Sequence, residues 1–477
     1  MGTTVFERYP PAESVVEHAL AETRQSVFWI DDLPHRHPRR KLVGDVSVDL
    51  AIVGGGLLGL WTAVLAKHRD PSRSVALVEA RRIGWAASGR NGGFVDASLT
   101  HGEANGRARW PEEYSTLERL GRANLAAMER DVEELGLACE WERTGELDVA
   151  TEPHQLDWLE GEPRRADGSW PDAVLLDAAG VQAEVASPSY LGATWRRRDV
   201  ALLNPGRLCA ELARVAENLG VQLYEQSPAR SLLDSGAGLE VITESGRIRT
   251  QHVALATGVY PPLLRRTRLL TVPVYDYVLA TEPLSPPQLE QVGWRNRQGI
   301  GDLANQFHYY RLTADDRIVF GGYDAVYHYG GRIRSSYENR PQSFRTLARH
   351  FFTTFPQLEG LRFTHRWAGV IDTSTRFSAF FGTAREGRVA YAAGFTGLGL
   401  GVSRFAGETV LDLLDGEPTE RTQLRMVRER PLPFPPEPAA WAGIQATRAA
   451  LNRADHDGGR RGPLLRTLDA AGLGFDS

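Results

Sequence analysis

The period with which apolar and polar positions alternate changes along the chain, and each change marks an element. From Val48 to Ala66 the sequence reads VDLAIVGGGLLGLWTAVLA, apolar enough to suggest a membrane span, which takes about 20 such residues in one helix. Asp49 and three consecutive glycines break that reading, because each interior glycine costs a helix about 1 kcal/mol. Split at the glycines, residues 47–53 predict a buried parallel strand, LLGLWTAVLAKHR carries apolar residues at helical spacing, and SVALVEA at 74–80 predicts a second strand. Strand, glycine turn, helix and strand make a βαβ unit, whose crossover helix covers one face of a parallel sheet.

The same reading continues downstream. Pro111 to Leu137 predicts a long amphipathic helix, TGELDVAT a strand, and NPGRLCAELARVAENLGV a helix entered through Pro205 and Gly206. VQLYEQ, LEVITE and HVALATG predict three further strands. LLTVPVYDYVLATEPL and FHYYRLTADDRIVFGGYD alternate over longer stretches, in the manner of antiparallel strands with one covered face, and RTLARHFFTTFPQL predicts a helix. From Val389, VAYAAGFTGLGLGVSRFAGETVLDLLDG repeats the order strand, glycine loop, helix; PLPFPPEP at 431–438 predicts an extended linker or clamp, and the tail a short helix with a glycine-rich end.

Composition narrows the functional classes. With 477 residues, 42% hydrophobic and 24% charged, the chain has length for two or three domains, each with a core. A net charge of -5 provides no basic stripe, which argues against nucleic acid or an anionic membrane surface as partner. Cys139 and Cys209 are too few for a disulfide framework or a cysteine-rich metal site. No apolar stretch follows a basic start in the first 46 residues, so the expectation is a cytoplasmic protein with no membrane span. Lys41 and Lys67 are the only lysines.

Gly54, Gly56 and Gly59 form G-x-G-x-x-G directly between strand and helix. The first glycine permits the tight turn, the second lets backbone approach a pyrophosphate, and the third lets helix and strand pack closely; the phosphates then face the positive helix end formed by Leu57 and Leu58. Glu79 ends the second strand about 20 residues further on, where a carboxylate accepts both ribose hydroxyls of an adenosine; Ala80 and Arg81 follow it. Next comes GWAASGRNGGF, Gly84 to Phe94, a second glycine and hydroxyl loop that a bare NAD domain does not need and that FAD, with its ribityl chain, does.

With these residues the chain resembles the D-amino-acid-oxidase-like superfamily of FAD enzymes, in particular the branch of γ-glutamylputrescine oxidoreductase, glycine oxidase and sarcosine oxidase. The likeness runs through TGELDVAT, NPGRL, ALATG, YYRLTADDRIVFGG, RWAG and AGFTGLGLGVS, roughly residues 45 to 430. It implies an α/β fold: a Rossmann-like FAD-binding domain from 47–110, 196–268 and 380–430, with an inserted mixed or antiparallel α+β substrate domain from 111–195 and 269–379. An N-terminal extension, 1–46, and a tail, 431–477, flank them. By the same resemblance Ser88, Arg90, Asn91, Gly92 and Gly93 line the phosphate and ribityl region. Thr257 and Gly258 lie on the adenine side, and Gly394, Thr396, Gly397, Leu398 and Gly399 bring a helix start to the flavin pyrimidine edge, where a helix dipole stabilises negative charge.

Members of this superfamily oxidise a C–N bond by hydride transfer from a neutral amine to flavin N5, and the imine hydrolyses. The resemblance therefore implies an FAD-dependent amine oxidase or dehydrogenase, with a primary or secondary amine, an amino acid or a polyamine derivative as small-molecule substrate. Oxygen or another acceptor takes the electrons: relatives that activate oxygen with a lysine over the flavin have no counterpart here, given Lys41 and Lys67 alone. No cysteine follows Cys209, so FAD is expected to be noncovalent. No catalytic dyad and no metal-ligand spacing is found, and the catalytic residues stay unassigned. Pocket candidates are Tyr275, Tyr277, His308, Tyr309, Tyr310, Arg311, Tyr323 and Trp367, an aromatic set suited to an amine. Arg311 could pair with a substrate carboxylate, or with Asp315 or Asp316. A flavin-bearing assembly protein and an FAD-dependent hydroxylase are the competing readings.

Overall fold

The computed structural model describes residues 2–34, 38–159, 173–236 and 238–473, and arranges them around two large sheets. The apolar run at 48–66 is two elements: the strand Gly44–Val53 and the helix Leu57–Arg69. Every residue from Leu57 to Lys67 is buried, so this helix is apolar on all sides because protein covers all of them. It lies between the sheet and the helix Gly399–Asp415, where a Cβ on Gly407 would stand 3.2 Å from the Thr62 backbone nitrogen. Burial of a Leu or Val side chain contributes about 1.5–3 kcal/mol, and this pattern records burial in a core. Among the described residues no helix is long and apolar enough to cross a membrane.

The eight-stranded sheet is Rossmann-like at its centre. Gly44–Val53 pairs in parallel with Val75–Val78 on one side and with Gly246–Leu255 on the other. Val75–Val78 continues in parallel to Gln222–Tyr224, and Gly246–Leu255 to Val389–Ala393. The strands Ser231–Asp234, Leu239–Ile242 and Phe380–Ala384 complete it, all antiparallel to their neighbours. Helices Leu57–Arg69, Pro205–Asn218 and Gly399–Asp415 supply one large core, with Trp61, Leu212 and Val410 among its buried residues.

The second sheet is mixed and ten-stranded. Phe363–Ser374 pairs antiparallel with Thr271–Thr281 over almost its full length. Ile318–Gly322, His308–Leu312, Gly299–Asp302, Glu146–Ala150, Gly192–Arg196 and Ala173–Leu176 follow in that order. One face packs on the helix Pro341–Thr354, whose Phe344, Phe351 and Phe352 join Phe355 in an aromatic core. The fold is thus α/β with a second, mixed-sheet α+β part.

Both termini differ from what the sequence suggested. The extension is not a bare lead-in: helices Val5–Arg8, Glu13–Leu20 and Phe28–Asp31 pack on the second sheet, and Glu13 pairs with Arg345 and Arg349. The tail holds two helices, Ala439–Asp455 and Pro463–Ala470, where one short helix was expected. In PLPFPPEP residues 431–436 form no regular element and Glu437 and Pro438 turn into the first tail helix; the Phe434 N–H donates to the Leu269 carbonyl at 2.7 Å.

Candidate active site

At the end of the first strand Gly54 turns the chain with φ +116°, and a Cβ there would lie 2.3 Å from the Ala256 carbonyl oxygen. A Cβ on Gly59 would lie 2.0 Å from the Gly54 oxygen, so the third glycine sets how closely the helix approaches the strand. Gly56 is the helix N-cap and brings no side chain; Ser88 Oγ accepts the Leu57 N–H at 3.0 Å. The result is a helix start with exposed amide donors and one hydroxyl beside them, an anion cradle.

Glu79 is held rigidly against this turn. One carboxylate oxygen accepts the Gly55 N–H at 2.8 Å, the other the Arg81 N–H at 2.7 Å and the Trp85 indole N–H at 3.1 Å. Burial raises its pKa, while these donors pull the other way. Arg81 stacks its guanidinium over the Trp85 ring at 4.2 Å, a surface arrangement.

The loop after Gly84 is gripped by residues far away in sequence. Trp29 and Trp367 donate their indole N–H groups to the carbonyls of Asn91 and Arg90, at 2.8 and 2.9 Å. Arg311, buried to 1% exposure, donates to the carbonyl of Leu203 at 2.9 Å and of Gly93 at 3.3 Å. Asn91 folds its own loop by accepting the Gly93 N–H at 2.9 Å and donating to Ala87 and Ser88. Arg90 is tied to Glu338 at 2.6 Å and to the Ala368 carbonyl at 2.9 Å. Arg311→Met is expected to leave the Leu203 carbonyl short of that donor, while the Gly93 carbonyl keeps the Leu203 N–H at 3.0 Å, and to cost about 2 kcal/mol. Thermal melting and bound-flavin content measure it, and both should fall together.

Opposite, Gly394 and Gly397 take φ values of +75° and +89°, and the chain between them turns into the helix Gly399–Asp415. Asp372 accepts the Gly394 N–H at 2.7 Å and its carbonyl accepts the Thr396 N–H at 3.1 Å. Burial pushes the Asp372 carboxyl up to about 6.

A cavity of about 1980 Å³ joins these parts. That is roughly twice the upper size of common small-ligand sites, about 300–1,000 Å³. Gly56, Leu57, Leu58, Ser88, Arg90, Asn91, Gly92 and Gly258 line it, as do Thr396, Gly397, Leu398 and Gly399. Gly54, Gly59, Glu79, Ala80, Arg81, Gly93, Thr257 and Gly394 are not among the lining residues; Gly54, Gly93 and Gly394 shape turns at positive φ, and Ala80 and Arg81 are exposed. The tail closes the far side: Leu432 to Pro435 and both tail helices contribute Ile444, Leu451 and Leu465. Neither cysteine lines it, and both are buried and in no disulfide.

Of the aromatic candidates, Tyr309 and Tyr323 line the cavity. Tyr275, Tyr277 and Tyr310 point into the core on the other face of the sheet, where their hydroxyls meet Arg334 backbone, the Tyr337 carbonyl and Tyr190. His308 lies on that face too, between Asp302 at 2.6 Å and His350 at 2.8 Å. Trp367 and Arg311 brace the loop described above. The two pairings considered for Arg311 are replaced by its carbonyl bonds, since Asp315 pairs with Arg317 and Asp316 with Arg297. The residue that was missed is Asp276. It sits between Tyr275 and Tyr277 and, in a strand, must face the opposite way. Its carboxylate accepts the Tyr309 hydroxyl at 2.5 Å and opens on the cavity, and burial pushes it up to about 6.

Comparison with known proteins agrees with this arrangement. The family described as DAO, FAD dependent oxidoreductase, matches residues 49–413. The chain is similar to gamma-glutamylputrescine oxidoreductase of Escherichia coli, 27% identical over 380 residues that cover 78% of this chain and 84% of that one. It is also similar to glycine oxidase of Bacillus licheniformis, 23% identical with 78% and 94% covered. Among solved structures, L-proline dehydrogenase from P. horikoshii shares the fold with a TM-score of 0.64 at 19% identity, over 80% of this chain and 96% of that one.

Proposed function

The chain belongs to the DAO family of FAD-dependent oxidoreductases, and on that premise we propose that it oxidises the C–N bond of a primary or secondary amine to an imine, which water hydrolyses. FAD is its cofactor, and the residues fit it noncovalently. The glycine turn admits backbone where a Cβ on Gly54 or Gly59 would clash with a carbonyl, and the helix start at Gly56 and Leu58, beside the Ser88 hydroxyl that holds the Leu57 N–H, offers an anion site to a diphosphate. When bound, FAD supplies the two-electron acceptor for the amine. Glu79 is assigned to the ribose, Ser88 and Asn91 to the phosphate and ribityl region, and the Gly394–Gly399 loop to the pyrimidine edge.

The observation that carries this reading is continuity. One cavity runs from the dinucleotide turn past Gly397 and Leu398 to a wall made of Tyr309, Tyr323 and Asp276. The second sheet orients the substrate there, and the tail excludes water, which keeps the amine and its imine product out of bulk solvent until release. The division of labour follows the segments given above, with 47–110, 196–268 and 380–430 holding FAD and 111–195 and 269–379 shaping the substrate site. Oxygen or another acceptor would take the electrons, and the working compartment is the cytoplasm, in keeping with two buried cysteines that form no disulfide.

A panel of amines and amino acids, assayed for ammonia and for peroxide, tests the reading. Ammonia release from at least one substrate is expected, and peroxide reports whether oxygen is the acceptor. Consumption of NADPH without any amine would support the hydroxylase reading instead. Glu79→Ala is expected to weaken FAD binding about 10- to 100-fold, the loss of one or two charge-assisted hydrogen bonds of about 1.5–3 kcal/mol. Flavin retained after dialysis measures this, and a variant that stays fully yellow would remove Glu79 from the ribose site.

A further inference from the structure

The charges around the cavity do not balance, and the imbalance has a chemical direction. Each of the six arginines among the described lining residues already faces a carboxylate. Arg90 pairs with Glu338, Arg107 with Glu103, Arg122 with Asp199, Arg448 with Asp324 and Arg461 with Asp469. Arg196 faces three: Asp96, Glu146 and Asp148. Neither lysine lines the cavity. Asp276, by contrast, has no arginine, lysine or histidine against it among the described residues: the Tyr309 hydroxyl and nearby backbone N–H groups of Tyr277 and Gly322 are its donors. Tyr323, Tyr327 and Phe307 line the same cavity and offer aromatic surface.

Among the described residues a substrate carboxylate would meet no arginine or lysine that is not already paired, whereas an ammonium group would meet an acceptor that lacks a cation. Resting on the amine-oxidising reading above, we infer that the substrate is an amine whose reacting carbon bears no carboxylate, docked by its nitrogen on Asp276. Tyr309 orients that carboxylate through its hydroxyl. In the docked pair an N–H bond of the ammonium breaks as an O–H bond forms on Asp276, leaving the neutral amine that oxidation requires and no change of redox state. The driving condition is the dry site, which disfavours the charged form of both partners and brings their proton affinities together.

Pairs of compounds that differ by the carboxylate alone test the inference on the holoenzyme: butylamine against norvaline, and phenethylamine against phenylalanine. In the pair that reduces the flavin anaerobically, the amine should do so at least about 100-fold more efficiently than the amino acid. Equal or better reduction by an amino acid overturns the inference. A second readout needs no turnover. tert-Butylammonium, which has no hydrogen on the carbon bearing nitrogen, and its carboxylate isostere pivalate are titrated while the flavin absorbance is followed. The ammonium should bind at least about tenfold more tightly, and Asp276→Asn, which keeps its flavin, should abolish that preference. Tighter binding of pivalate, or an unchanged preference in Asp276→Asn, overturns the inference. If no amine reduces the flavin while tert-butylammonium binds through Asp276, the reaction assigned above fails and the cation site stands.

Discussion

Gly54→Ala is expected to yield a protein that holds less than about a tenth of the FAD bound by the parent chain and melts far earlier. Two costs add at this position. The backbone is at φ +116°, outside the regions an L-residue takes without strain, and the new methyl would lie 2.3 Å from the Ala256 carbonyl oxygen, itself fixed in the neighbouring parallel strand. Neither partner is a flexible side chain, so the turn itself must move, at about 4 kcal/mol or more. The displaced part is the helix start proposed above to receive the diphosphate. Gly59→Ala provides the control: its methyl would meet the Gly54 oxygen at 2.0 Å, but from within a helix, where alanine is otherwise preferred. Both variants should lose flavin, Gly59→Ala through packing alone. Flavin content and thermal melting of the two, measured side by side, check the argument.

The second large effect concerns pH. The Asp276 carboxyl is pushed up to about 6, mainly by burial, with the Tyr309 hydroxyl and the backbone of Tyr277 and Gly322 opposing that shift and Asp324 adding to it. Since the raised value belongs to an acid, Asp276 is charged above pH 6 and neutral below it. The kcat/KM for a cationic amine is therefore expected to fall as pH drops through about 6. Asp276→Asn should lower kcat/KM about 100-fold at pH 8, the worth of one charge-assisted contact of about 1.5–3 kcal/mol, and should erase that acidic limb. Asp372 also titrates near 6 and accepts backbone N–H groups at the Gly394 loop. Asp372→Asn should therefore keep the limb while changing flavin binding. A limb that survives in Asp276→Asn would remove this residue from substrate binding.

The geometry of the glycine turn, on which the proposed cofactor site rests, was legible in the chain because its determinants are local. Gly54, Gly56, Gly59 and Glu79 lie in one βαβ unit, and the strand and helix that carry them were bounded by the change from an unbroken apolar run to glycine. The substrate half was not legible, for a geometric reason. Period-2 alternation states that Asp276 faces away from Tyr275 and Tyr277 and that Tyr309 faces away from His308 and Tyr310. It does not state which face meets the cavity. The aromatic residues mark the covered face, against the helix Pro341–Thr354, and the one acid between two tyrosines marks the open face.

Long-range struts escaped for a different reason. Arg311 reads as a charged residue in search of an acid, yet its hydrogen bonds go to the carbonyls of Leu203, Gly93 and Leu312, with Glu142 no nearer than 3.9 Å, and no spacing rule connects those positions. Trp29 belongs to an extension that has no strong periodicity, and its role appears only when the indole reaches the Asn91 carbonyl. The tail helices lie beyond the segment that carries the family likeness. They nevertheless close the cavity, with Asp455 accepting from Asn305 and Arg448 pairing with Asp324.

Anaerobic mixing of the purified, FAD-loaded protein with amines tests the central claim most directly. Bleaching of the visible flavin absorbance by at least one amine, with release of one equivalent of aldehyde or ketone per flavin, is the result the structure predicts. A flavin that stays oxidised with every amine and amino acid, yet is bleached by NADPH, would contradict it.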